Sequence, residues 1–113
     1  MALEERWYPG KFLFGRRVRT QEAVTEDEIE KLIRAKKEEW ARRGISPEMQ
    51  TTAEILVREW AESMTRYHTG ILSRVLPPEE VERLRPKIMK ELVKTGLNTL
   101  AERWLSWVQG MKK

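Results

Sequence analysis

The chain has no cysteine and one histidine in 113 residues. Without cysteine there is no disulfide, no thiolate metal site and no cysteine nucleophile. The lone histidine, His68, has no HExxH-type spacing around it, and a metal site needs several convergent ligands. It therefore reads as a structural or surface residue. Ser63, Ser73 and Ser106 have no base in a recognisable arrangement, and no glycine-rich loop ends in Gly-Lys-Ser/Thr to cradle phosphates. Apolar runs are short. None approaches the roughly 20 residues that span a bilayer, and none near the N-terminus has signal-peptide length. The expectation is a soluble protein that is not an enzyme, with no metal, cofactor, small-molecule substrate or transmembrane segment.

Asparagine occurs once and glutamine three times, whereas charged residues make up 35 % of the chain and hydrophobic ones 40 %. Acids recur four residues before bases: Asp27–Lys31, Glu30–Arg34, Glu38–Arg42, Glu39–Arg43, Glu54–Arg58, Glu62–Arg66 and Glu79–Arg83. On a helix each such pair contributes about 0.2–0.5 kcal/mol. Many pairs with few thermolabile side chains is the pattern of proteins from hot environments. Such carboxylates read as solvated ion pairs rather than as general acids.

The periodicities predict an all-α fold: a helical bundle built on a long antiparallel helix hairpin, with an extended N-terminal arm over 1–24 and a bundle domain over 25–113. Pro9-Gly10 and Gly15 punctuate the arm. Thr25 with Glu28 forms a capping-box pattern that opens a helix over 25–43, with Ile29, Leu32, Ile33 and Trp40 on its apolar stripe. Gly44 suits the left-handed residue that ends a helix, and Ile45 the apolar contact after it. Ser46-Pro47 then reads as N-cap and first helical residue of a helix over 46–76. Its stripe is Met49, Ala53, Leu56, Trp60, Met64, Tyr67, Ile71 and Val75, with Gly70 a soft spot. Pro77-Pro78 ends it. A short helix fits 78–85, and Pro86, which lacks a donor and clashes with the preceding turn, places the last helix at 86–110. That helix carries two adjacent apolar rows, one with Ile88, Leu92, Leu100, Trp104, Trp107 and Met111, the other with Met89, Val93, Leu97, Ala101, Leu105 and Val108.

The most distinctive string is 6–19, with five basic residues, four aromatics and no acid. Arg6, Lys11, Arg16, Arg17 and Arg19 suit a phosphate backbone, and rings can stack on bases or sugars. Trp7, Tyr8, Phe12 and Phe14 equally suit burial against a partner protein or against the chain's own bundle. Arg83, Lys87, Lys90 and Lys94 fall on one helix face, a polyanion track if it faces the same way as the arm and a solvated stripe if it does not. Five tryptophans are many for a bundle of this size. Trp60 and Trp104 fit the core, which leaves Trp7, Trp40 and Trp107 as interface residues, because tryptophan is enriched where proteins meet.

This layout of basic arm, helical hairpin and thermophile-like charge pattern resembles the coat proteins of filamentous double-stranded DNA viruses of thermophilic archaea. The arm reads as extended where that family has helix. The resemblance implies a structural protein of the virion coat or packaging type that polymerises around DNA. The sequence thus points to a non-enzymatic assembly protein, a homo-oligomer or polymer that binds nucleic-acid backbone without sequence specificity, DNA favoured over RNA, in a virion or the cytoplasm. The alternative is a small helical adaptor or subunit of a multiprotein complex whose arm docks on a partner.

Overall fold

In the computed structural model, the backbone is described for residues 11–112 and the side chains for residues 24–112. Four helices account for nearly all of these residues: α1 (Lys11–Arg42), α2 (Pro47–Leu72), α3 (Pro78–Asn98) and α4 (Leu100–Met111). The all-α fold and the antiparallel hairpin, formed by α2 and α3, are as expected. α3 packs against α1, α2 and α4, and α2 also meets α1 and α4.

The junction between α1 and α2 follows its local chemistry. Gly44 takes φ +84°, the Ile45 N–H donates to the Trp40 carbonyl at 3.0 Å and the Gly44 N–H to that of Ala41 at 3.0 Å. These two bonds define a Schellman cap. Ile45 is buried beneath it. Ser46 Oγ then accepts the Met49 N–H at 3.3 Å, with Pro47 at the first helical position.

Other boundaries differ from expectation. The arm is not extended over 11–24: α1 begins at Lys11 and runs unbroken through Thr25, so no capping box forms. Glu28 instead reaches across to Lys90 at 3.1 Å, and residues 1–10 lie outside the described part. Pro86 neither breaks α3 nor separates two helices, since α3 runs through it from Pro78. The cost of an interior proline, about 3 kcal/mol, is offset by burial of Val81 and Val93 on either side of it. The break comes at Thr99 (φ −124°, ψ −68°). There Asn98 Nδ2 bonds the Lys94 carbonyl at 2.9 Å and Thr99 Oγ1 that of Thr95 at 2.7 Å. α2 stops at Leu72 rather than 76, and turns lead into Pro77, before which a helical conformation is disfavoured.

The core is made by Ile29, Ile33 and Trp40 of α1, Ile45, Ala53, Val57 and Ala61, then Val93, Leu97, Ala101 and Leu105. On α2 the fully buried row is Ala53, Val57, Ala61, Thr65 and Thr69, whereas of the expected stripe only Ala53 lies in it, with Met49 and Trp60 partly buried against the core. Close approach to α3 selects the smaller face: a Cβ on Gly96 would lie 3.0 Å from Val57 Cγ1 and 3.1 Å from the Trp60 ring. Thr65 and Thr69 tolerate burial because their hydroxyls donate to the Ala61 and Thr65 carbonyls at 2.7 and 2.8 Å. Tyr67, Ile71 and Val75, expected inside, are 60, 45 and 74 % exposed. The molecule measures 60 × 32 × 14 Å with a radius of gyration of 17.8 Å, against about 13 Å for a compact domain of this length. Its thin section leaves apolar side chains uncovered.

Candidate functional site

α1 and the α3–α4 pair run parallel in constant register. Lys36 Nζ bonds Asn98 Oδ1 at 3.1 Å and Trp40 Nε1 bonds Glu102 Oε2 at 3.0 Å, both 62 residues apart in sequence. At the other end of this seam, Val24 and Thr25 share a cleft with Arg83, Pro86 and Lys87. The basic first half of α1 therefore joins the packed body beside the basic residues of α3. Lys11, Phe12, Phe14, Arg16, Arg17 and Arg19 lie on that half, where only the backbone is described. Arg6, Trp7 and Tyr8 lie outside the described residues.

The four-residue basic stripe on α3 is reduced to three. Lys90 is taken up by Glu28 of α1. Arg83 only grazes Glu80 at 4.0 Å and its side chain stays 67 % exposed. Lys87 and Lys94 are exposed and, among the described residues, meet no carboxylate. The remaining ridge runs alongside α1.

Elsewhere charge is neutralised between helices as often as along them. Of the seven spacings of four, Glu39–Arg43 (3.4 Å) and Glu54–Arg58 (2.9 Å) form ion pairs. Glu54 also takes Lys37 at 2.8 Å, and Arg58 reaches Glu30. Burial raises the Glu54 carboxyl, and hydrogen bonds from Lys37 and Arg58 outweigh it, so its pKa is lowered. Glu102 of α4 accepts Arg43 in a fork of two 2.9 Å bonds, with Lys36 at 3.0 Å and the Trp40 indole. The Arg43 bonds, aided by Trp40 and Lys36, hold its pKa down at about 2 against the opposing effect of burial. Trp40 is thus not an interface residue. It is 0 % exposed, and the sequence signal for this was its place in the Gly44–Ile45 cap, where the third residue before the cap contacts the one after the glycine.

Trp107 is 62 % exposed on α4, while Trp60 and Trp104 pack against the core. The sequence reading missed the groove on the side of the hairpin away from α1, lined by His68, Ile71 and Leu72 of α2 and by Lys87, Ile88, Glu91 and Leu92 of α3. Its signal was present in the apolar stripes themselves, Ile71 on that of α2 and Ile88 and Leu92 on one row of the last helix. Among the described residues no cluster of three or more His, Asp or Glu is placed to hold a metal ion, and no helix is long and apolar enough to cross a membrane. Fold and surface define an elongated all-α bundle with a basic edge and an uncovered apolar groove. The chain matches no known protein family, no characterised protein and no solved structure.

Proposed function

We propose that the protein is a non-enzymatic assembly protein that self-associates and binds nucleic-acid backbone without reading sequence, of the virion coat or packaging type. One observation carries the reading: the basic half of α1 continues the packed half as a single helix and enters the body beside Arg83 and Lys87. Two basic strings far apart in sequence thereby become neighbours along one edge, the footprint a polyanion requires. Lys90, spent on Glu28, is not part of the edge.

Light-scattering mass with and without random duplex DNA, at low and high salt, tests the reading. Growth into large particles only with DNA, lost at high salt, is expected. Each phosphate contact contributes a slope of about −0.9 in log affinity against log salt on duplex DNA. On a helix Arg16 and Arg19 are three apart and share a face, with Arg17 off it. Replacing all three by alanine should therefore flatten the slope by about two contacts' worth rather than three. Unchanged binding would remove α1 from the interface. A small oligomer indifferent to DNA would favour the adaptor reading, which the exposed Trp107 supports as a protein-docking residue.

A further inference from the structure

The groove between α2 and α3 has an apolar floor and a rim with one charge of each sign. Ile71, Leu72, Ile88 and Leu92 form the floor, and Lys87 and Glu91 stand on the rim one turn apart on α3. Ile71 is nearly half exposed. Both rim residues are exposed, and among the described residues neither forms an ion pair. Their order, base before acid, is the weaker orientation for pairing along a helix.

We propose that this groove is closed by the same groove of a second copy, about a two-fold axis that lays α3 antiparallel to its counterpart and sets Lys87 of each copy against Glu91 of the other. The inference rests on the self-association half of the reading above and gives it a surface and a symmetry. An isologous interface must be self-complementary, each patch meeting itself turned around. A cation and an anion one turn apart on a single helix satisfy that condition, because a two-fold axis between them exchanges one for the other and forms two pairs at once. Lys87 also borders the cleft beside α1, but over the groove Glu91 one turn on balances its charge, so the groove itself presents no excess of positive charge to an anionic lipid surface or a phosphate backbone. The apolar floor supplies burial and the rim pair fixes the register.

Sedimentation analysis without nucleic acid, over a rising protein concentration, is the test. The wild-type chain should pass from monomer to dimer mass. Glu91→Lys and Lys87→Glu each set like charges together and should weaken the dimer by about tenfold or more. The double variant K87E/E91K restores opposite pairs and should return the dimer close to wild-type strength. Circular dichroism should show all four chains equally helical, since both positions are exposed. A wild-type chain that stays monomeric, or a double variant that stays as weak as the singles, overturns the proposal. A chain that dimerises with this charge dependence yet ignores DNA keeps the interface and loses the nucleic-acid reading.

Discussion

Glu102 gathers donors from Lys36 and Trp40 of α1 and from Arg43 just past its end, and no spacing in the sequence announces it. Its nearest base in sequence, Arg103, is exposed and does not pair with it. The partners Lys36, Trp40 and Arg43 lie about sixty residues away. A carboxylate held at about pKa 2 against an unfolded value near 4.3 favours the folded state above the unfolded pKa, and that contribution is lost as pH falls through the folded one. Stability should accordingly drop by on the order of 3 kcal/mol between about pH 5 and pH 2 through this group. Urea unfolding across that range, compared with Glu102→Gln, isolates it: the variant should start less stable at neutral pH and lose less on acidification. Trp40 is the complementary case at the same scale. Counted among surplus tryptophans it looked like an interface residue, whereas the cap motif beside it already implied burial.

At the scale of the helix, the caps of the α1–α2 junction were legible, whereas the capping box expected at Thr25 lies inside α1 and the faces were read less well. Gly44, Ser46 and Pro47 act through their own backbone, so their spacing sufficed. The buried face of α2 was decided by something its own hydrophobicity does not record, the closeness of α3 at Gly96. Thr65 and Thr69 pass as polar on a hydropathy scale yet sit inside. Two glycines make the point measurable. Gly70 has open space where a Cβ would stand, so Gly70→Ala should stabilise the protein by about 0.5–1 kcal/mol through helix propensity. Gly96→Leu must force Val57 and the Trp60 ring apart and should destabilise it by about 2–3 kcal/mol. Thermal denaturation of both variants decides between propensity and packing as the rule for each site. Pro86 and Thr99 show the same limit: proline carries the stronger local signal for breaking a helix, yet α3 runs through it and the break lies at Thr99.

For the whole molecule, the hairpin was legible from two long apolar periods joined by a proline-bounded connection, while the place of α1 was not. Its parallel register against α3 rests on residues 62 apart, and the four-residue charge spacings suggested pairing within helices instead. Such separation bears on the order of folding, since distant contacts close a longer loop before any reward. The α2–α3 hairpin should form first and α1 dock late. Val57→Ala should then mainly slow refolding, and Ile33→Ala mainly speed unfolding, in stopped-flow denaturant series. The reverse partition would place α1 in the nucleus.

The docking of α1 also settles what the interruption at Thr99 can do. Lys36 grips Asn98, the last residue of α3, and at the same time Glu102 in the first turn of α4, while Trp40 and Arg43 hold Glu102 from the same side. α1 thus lies across the joint as a splint lies across a fracture, fixed on both fragments. A break that would swivel in an isolated α3–α4 segment is rigid in the intact chain. α2 packs on α4 as well, so the short helix is held from two sides and presents the exposed Trp107 in one fixed direction.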